Sequence, residues 1–242
     1  LDYPDRLNVL DLAGWEALAE TVRAAGEDSD VRCIVIRGSG SQAFSAGSDI
    51  SVFPLQRLEP DDVRAYGAVI EAALTAIADC PVPTVAMIEG VCVGGGVEIA
   101  ACCDLRVCGA SSRFGAPINQ LGLTMSHAEL RPLVRAVGSN TVLEILLEGE
   151  IFGADRAQQI GLVSRVVPDA QVEAEAMNTA RRIAAGAPLV NRWHKKFIRR
   201  LADSTPLSAA EIAEAYAAFD TKDYRTGVRA FLEKEDPEFR GR

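Results

Sequence analysis

The hydrophobic pattern changes once along the chain, and this change limits the possible folds more than any other feature. Up to about residue 170, short β-branched runs alternate with stretches in which apolar residues recur at helical spacing. The runs at 31–37, 82–90 and 162–167 are typical of buried strands. From about Gln171 onward only helical patterns follow, interrupted at glycine and proline. Alternation followed by helices predicts an α/β core with a helical C-terminal region.

The first predicted helix has recognisable ends. Apolar residues recur at helical spacing from Leu12 to Val22, with Asp11 before them as a predicted N-cap and Gly26 after them as the predicted end. A second helical stretch covers about 60–78. Together with the strands, these helices indicate repeated strand–helix units.

The C-terminal region is predicted to pack on another copy of the chain. We divide the sequence into an α/β core at 1–185 and a helical region at 186–242, because the glycine and proline breaks begin there. One helix of this region has an apolar stripe formed by Leu189, Trp193, Phe197 and Leu201. Exposed stripes of this kind often mark an oligomer interface.

Charge and hydropathy exclude several classes of protein. The 242 residues include 25 Lys and Arg against 34 Asp and Glu, a net charge of −9, which disfavours binding to nucleic acid or to an anionic membrane. No run approaches the roughly 18 apolar residues of a membrane span, and the first residues lack the pattern of a secretory signal. A cytoplasmic location is the expectation.

The cysteines are predicted to be reduced core residues. All six lie in apolar stretches, without a CxxC pair and without a histidine at metal-ligand spacing: Cys33, Cys80, Cys92, Cys102, Cys103 and Cys108. A catalytic thiol needs a neighbouring histidine, and the sequence has only His127 and His194. We therefore expect neither a metal site nor a catalytic cysteine.

Two glycine-bearing turns that follow strands are the leading candidates for chemistry. They are AFSAGSDI at 43–50 and VGGGVE at 93–98. Turns of this type leave backbone N–H groups free to bind an anion or a developing oxyanion. Glu98 falls in the first turn of the following helix, where the helix dipole favours an ionised carboxylate, so it is either a general base or a helix cap. The GGG turn lacks a P-loop lysine and does not match GxGxxG.

Five segments in order resemble the crotonase family, the enoyl-CoA hydratase/isomerase superfamily. They are AFSAGSDI, VPTVAMIEGVCVGGGVEIA, FGAPINQLGL, GLVSRVV and GVRAFLEKEDPEF, and together they cover nearly the whole chain. The resemblance implies a crotonase-like spiral of ββα units whose C-terminal helices mediate trimers or dimers of trimers. It also implies an acyl-CoA thioester substrate, with coenzyme A as part of the substrate and no metal or redox cofactor. Compared with the family, the N-terminus looks short by one β-hairpin.

The resemblance also implies specific roles for residues of the turns at 43–50 and 93–98. Ser48 and Gly95 would donate the two backbone N–H groups that hold the thioester oxygen, which matches the free amides expected from the turns. Ala46, Asp49 and Ile50 would line the coenzyme A arm. Near the C-terminus, Lys234 in AFLEK resembles residues that reach the ligand of a neighbouring subunit.

The acid–base residues only partly follow the family. Glu98 occupies the position of the first hydratase glutamate, but the position of the second, which lines the substrate, is Ile118, and this residue cannot transfer a proton. His127 is our candidate for a replacement acid or base because its side chain titrates near neutrality. Ser126 and Glu129 are the alternatives. The reaction stays open among hydration, isomerisation, decarboxylation and thioester hydrolysis, and a catalytically silent acyl-CoA-binding oligomer is the competing hypothesis.

A basic and aromatic segment, RWHKKFIRR at 192–200, is predicted to be a solvated helix face with a packed apolar stripe. The alternatives are that this segment contacts the phosphates of coenzyme A or binds RNA, because segments that combine basic and aromatic residues also bind phosphate backbones.

Overall fold

The computed structural model describes residues 1–242, which fold into eight strands and eleven α-helices. The strands are β1 (Ile34–Arg37), β2 (Ala43–Ser45), β3 (Thr84–Ile88), β4 (Val91–Val93), β5 (Leu105–Gly109), β6 (Arg113–Gly115), β7 (Phe152–Gly153) and β8 (Arg165–Val167). The helices are α1 (Leu12–Glu27), α2 (Phe53–Gln56), α3 (Pro60–Asp79), α4 (Gly95–Cys102), α5 (His127–Val137), α6 (Ser139–Glu148), α7 (Ala154–Gln159), α8 (Val172–Ala185), α9 (Pro188–Arg200), α10 (Ala209–Glu214) and α11 (Lys222–Glu233).

The strands form two four-stranded sheets, and successive strands of the chain are added to the two sheets in alternation up to β6. One sheet has the order β1-β3-β5-β8 and is parallel throughout, and the other has the order β2-β4-β6-β7 with only β7 antiparallel. Each of the first three strand pairs gives one strand to each sheet and is followed by a helix. The chain therefore winds as a spiral of ββα units, which confirms the predicted fold class.

Helix α4 is embedded in the core. Every residue from Gly96 to Cys102 is buried, and the adjoining core contains the largest buried side chains, among them Trp15, Phe44, Tyr66, Ile99 and Phe114. A helix that is buried on all sides places its polar residues away from water. The single charged residue of α4, Glu98, is therefore buried with it.

Helix α1 starts as predicted but ends later. The Asp11 carboxylate accepts a hydrogen bond from the Gly14 N–H at 2.8 Å, which caps the helix. The prediction that Gly26 ends the helix is wrong, because α1 continues to Glu27. Gly26 instead allows close packing, since a Cβ there would lie 3.2 Å from the Cys80 sulfur. The six cysteines are free, and all except Cys33 are buried.

All secondary-structure elements after Gln171 are helices, as predicted, and α8 ends at Ala185 while α9 begins at Pro188. None of the helices is both long and apolar enough to cross a membrane.

An ion-pair cluster joins α9 to the spiral. Asp104, at the start of β5, contacts Lys195 at 2.7 Å and Arg199 at 2.8 Å. The Asp104 carboxylate also accepts the Thr84 N–H at 2.8 Å. The Lys195 side chain is only 7% exposed, and burial lowers its pKa. The basic residues of 192–200 thus serve contacts within the chain, as does Lys196 with Glu214 on α10.

We expect Asp104→Ala to lower the free energy of unfolding by about 3–5 kcal/mol, because it leaves the buried Lys195 charge without a carboxylate. Glu214→Ala is the matched control: it removes a carboxylate from the solvent-exposed Lys196, and we expect a loss below about 1 kcal/mol. Urea-induced unfolding measures both. Equal losses for the two variants would contradict a structural role for the buried cluster.

Candidate active site

Two glycines bring the turns after β2 and β4 into direct backbone contact. Strands β2 and β4 are parallel neighbours, so their carboxyl ends lie at the same edge of the sheet. A Cβ atom on Gly47 would lie 2.4 Å from the Gly95 nitrogen and 2.9 Å from its Cα atom. Gly47 also has a φ of +87°, which side-chain-bearing residues rarely adopt. Only glycine fits at this contact.

The amides of Ser48 and Gly95 donate no hydrogen bond within the chain. The Leu10 N–H donates to the Gly47 carbonyl, and the Asp49 N–H donates to the Leu10 carbonyl, each at 2.8 Å. This bridge occupies the groups on either side of Ser48 and leaves the Ser48 N–H unpaired. Gly95 is the first residue of α4, where an amide has no carbonyl four residues earlier in the helix. Two unpaired donors therefore lie where the two turns touch.

Trp15 of α1 supports both turns. Its ring is fully buried, and its Nε1–H donates to the Ser48 hydroxyl at 3.2 Å. A Cβ on Gly95 would lie 3.0 Å from the Trp15 ring. The indole thus contacts both turns, and sequence reasoning assigned it only to the apolar face of α1.

Glu98 is a buried carboxyl, and no hydrogen bond contributes to its titration. Glu98 lies in the first turn of α4, and the residue is only 4% exposed. Burial, with a smaller contribution from the charge of Glu129, raises the pKa of Glu98 from 4.5 to about 8, and the charge of Arg57 partly opposes this shift. Burial therefore outweighs the helix-dipole effect expected from the sequence, and the carboxyl is mainly protonated at neutral pH.

Glu129, rather than His127, is electrostatically coupled to Glu98. Ser126 and Glu129 form a capping box at the start of α5: the Glu129 carboxylate accepts the Ser126 N–H at 2.5 Å, and the Ser126 hydroxyl accepts the Glu129 N–H at 3.3 Å. His127 begins α5, is exposed and makes no side-chain hydrogen bond. The charge of Glu129 is close enough to raise the pKa of Glu98.

Arg57 is a site residue that sequence reasoning missed. Its guanidinium carbon lies 3.9 Å from the centre of the Phe53 ring and 4.0 Å from the centre of the Tyr66 ring. Its charge lowers the pKa of Glu98 against the effect of burial. Nothing in the sequence FPLQRL at 53–58 indicates which rings flank the cation.

The three other residues of the first turn lie close to α1 and the N-terminus. Asp49 is 5% exposed, and its carboxylate pairs with Arg6 at 2.9 Å and accepts the Ser51 hydroxyl hydrogen bond at 2.6 Å. The Ser51 hydrogen bond is the main reason that the pKa of Asp49 is lowered. The Ala46 N–H donates to the Leu7 carbonyl at 2.9 Å, whereas Ile50 is 51% exposed. Asp49 thus holds the turn.

The remaining candidate residues lie on other elements. Ile118 is half-buried in the 3-10 helix Pro117–Leu121 and packs against the core. Lys234 is exposed at the C-terminal end of α11, with a φ of +58°, and makes no ion pair or hydrogen bond through its side chain. Within one chain, the contacts do not join Lys234 to the Ser48–Gly95 turns.

The family model for enoyl-CoA hydratase/isomerase matches residues 1–242. Among named relatives, the crotonyl-CoA hydratase of Syntrophomonas wolfei is 31% identical over 242 residues, covering 99% of this chain and 92% of that protein. The short-chain-enoyl-CoA hydratase of Clostridium acetobutylicum is 29% identical over 236 residues, covering 97% of this chain and 90% of that protein.

Solved structures agree with the sequence relatives. An enoyl-CoA hydratase/carnithine racemase from Magnetospirillum magneticum is 46% identical, with a TM-score of 0.97 over 99% of this chain and 90% of that one. The enoyl-CoA hydratase from Bacillus anthracis is 28% identical, with a TM-score of 0.93 over 99% of this chain and 93% of that one. Because the family model spans all 242 residues and the spiral fold is shared, this chain belongs to the enoyl-CoA hydratase/isomerase family.

Proposed function

We propose that the chain catalyses proton transfer on an acyl-CoA thioester, with the thioester oxygen bound by the Ser48 and Gly95 amides. This proposal rests on the Ser48 and Gly95 N–H groups, which have no hydrogen-bond acceptor in the chain and lie at the Gly47–Gly95 contact. Fixed backbone donors aimed at a developing enolate oxygen need no reorganisation during the reaction, and one such donor commonly contributes about 3 kcal/mol. Coenzyme A enters as part of the substrate, and the proposal includes no metal or redox cofactor.

Glu98 is the proposed acid–base group. A pKa of about 8 keeps both of its protonation states accessible near neutral pH. The protonated carboxyl would give a proton to the substrate carbon next to the thioester, and the carboxylate would take it back in the reverse direction. This assignment rests on its burial in α4, one turn from the Gly95 donor.

Hydration of an enoyl-CoA is the reaction we propose to test first. Water must lose a proton as its oxygen attacks the carbon distal to the thioester, and the adjacent carbon must gain one. Ile118 cannot take part in either transfer. The charge coupling of Glu129 to Glu98 favours Glu129 over the exposed His127 as the second group.

We expect Glu98→Gln to lower kcat for hydration of a short enoyl-CoA by about 10²–10⁴-fold, because general acid–base catalysis contributes that much. Glu129→Gln, which preserves the capping box, should lower kcat by at least 10-fold, and His127→Asn should change it by less than 3-fold. Loss of the conjugated thioester absorbance, with product mass, measures all three.

Two outcomes of this assay would overturn the assignment. An inert wild type whose Ile118→Glu variant gains hydration would mean that the amide site is intact and the native reaction is another acyl-CoA reaction. Tight binding of acyl-CoA without turnover of enoyl, malonyl and hydroxyacyl esters would leave the silent binding protein as the better hypothesis.

We expect the buried Glu98 proton to make stability depend on pH. Because folding raises the pKa of Glu98 from 4.5 to about 8, the stability from its protonated form is complete below pH 4.5 and is lost as the pH rises to 8. The free energy of unfolding of wild type relative to Glu98→Gln should fall by about 1.4 kcal/mol per pH unit across this window, then level off. Denaturant titrations measure it. Glu16→Gln, at an exposed position of α1, is the control. A difference in unfolding free energy between wild type and Glu98→Gln that does not change with pH would contradict the raised pKa.

We also propose that the C-terminal helices form an interface between copies of the chain, in a trimer or a dimer of trimers. Several large apolar side chains of this region are exposed: Ile198, Leu201, Tyr216, Phe219, Phe231 and Leu232. Phe231 and Leu232 are 84% and 74% exposed on α11, and patches of this kind mark contact surfaces. In that assembly Lys234 would approach a neighbouring subunit's substrate. The cytoplasmic location stays a prediction.

We expect Phe231→Asp to shift the chain from an oligomer towards the monomer, because it places a carboxylate in the proposed apolar interface. Arg229→Asp on the same helix is the control, since it introduces the same carboxylate at an already polar, exposed position. Sedimentation velocity gives the masses. A wild type that sediments as a monomer, or two variants that dissociate equally, would contradict the proposed surface.

A further inference from the structure

Arg57 is held in a fixed orientation between two aromatic rings. Its guanidinium carbon lies about equally far from the rings of Phe53 and Tyr66, at 3.9 and 4.0 Å from their centres. The rings themselves meet edge to face, with their centres 6.0 Å apart. Such stacking stabilises an arginine through cation–π attraction and restricts its plane. The two rings therefore hold the Arg57 side chain in one position against the protein.

The cation nevertheless has no anionic partner. Thirteen ion pairs join side chains of this chain, and none includes Arg57. Its Nε atom is buried and has no hydrogen-bond acceptor, and the buried hydroxyl of Tyr66 likewise has no partner. Buried polar groups are normally paired, so two neighbouring donors without acceptors indicate a missing ligand with acceptor atoms.

The orphaned donors are on the side of the proposed active site. Burial raises the pKa of Glu98 and the charge of Arg57 opposes this; burial likewise raises the pKa of Tyr66, and the nearby Ser48 side chain and Arg57 oppose it. The same guanidinium is thus near the proposed acid and near the turn that would hold the thioester oxygen. An anion bound there would lie beside the proposed binding site of the thioester.

The surrounding charges favour a carboxylate as that anion. An arginine fork binds a carboxylate with two parallel hydrogen bonds. Ile118 is uncharged and Glu98 is mainly protonated at neutral pH, so Glu129 is the one ionised carboxylate coupled to Glu98, and the charge of Arg57 opposes it. A site with two ionised glutamates at these positions would repel a carboxylate ligand.

We propose that Arg57, with the Tyr66 hydroxyl, binds a carboxylate on the acyl group, so that the substrates are CoA thioesters of acyl groups that carry a free carboxylate. This inference rests on the proposed function, because it places the thioester oxygen at Ser48 and Gly95. A phosphate of coenzyme A has related chemistry and is the other source of an anion.

Binding of three ligands to the full chain separates these sources: coenzyme A, butyryl-CoA and succinyl-CoA, the last two having four-carbon acyl groups that differ in one terminal carboxylate. We expect wild type to bind succinyl-CoA about 10- to 100-fold more tightly than butyryl-CoA, the range for hydrogen bonds to a charged group. Arg57→Leu should abolish this preference and change butyryl-CoA binding by less than 3-fold. Isothermal titration calorimetry measures the Kd values.

The control is Arg64→Leu, which removes the same charge from an exposed position on α3 and should keep the preference. Absence of a preference in wild type would overturn the proposal, as would equal weakening of all three ligands by Arg57→Leu, which indicates a phosphate contact. If Arg57→Leu fails to fold, Arg57→Lys serves as the test, because lysine keeps the charge but cannot donate two parallel hydrogen bonds to a carboxylate. An unchanged preference for succinyl-CoA in this variant would also overturn the proposal. Failure of wild type to bind any of the three ligands would instead reject the proposed function.

Discussion

The backbone contact between Gly47 and Gly95 is the constraint on which the rest of the site depends. The two turns come from neighbouring parallel strands, and a Cβ atom on Gly47 would lie within 2.4 Å of the Gly95 nitrogen. Any side chain there would separate the Ser48 and Gly95 amides. The spiral supplies the contact because its successive turns place consecutive ββα units side by side, and Trp15 fixes the contact from α1. The position of two small donors is therefore a property of the whole fold.

Burial of α4 gives Glu98 a pKa of about 8, which suits the proton transfer that we propose for it near neutral pH. A surface carboxyl in the first turn of a helix would stay ionised because the helix dipole favours the charged form. Glu98 lies instead in a helix buried on all sides, and loss of hydration dominates its titration. Glu129 increases this effect and Arg57 reduces it. The proton affinity is thus set by three elements that meet only in the folded chain.

The sequence predicted the parts of the site that lie within one motif. Gly95 and Glu98 share the GGG helix, the alternation predicted the α/β core with its helical C-terminal region, and the family resemblance implied the spiral. The rest depends on contacts between distant segments, such as Arg57 with Tyr66, which no local pattern encodes. The role of His127 stays a prediction, and the structure places this residue exposed at the start of α5. The S-x-x-E pattern of Ser126 to Glu129 is typical of a capping box, and the structure has one there.

Substrate binding and proton transfer are coupled if a carboxylate occupies Arg57. The positive charge of Arg57 lowers the pKa of Glu98, so an anion that neutralises Arg57 removes this effect and raises that pKa. The bound complex would then hold the Glu98 proton more firmly than the free protein does. A carboxylated substrate would therefore select the acid form of Glu98 at the moment when the carbon beside the thioester needs a proton. An uncharged acyl group would leave Arg57 unpaired and Glu98 more readily ionised, so the same cation would determine both which substrate binds and which protonation state meets it.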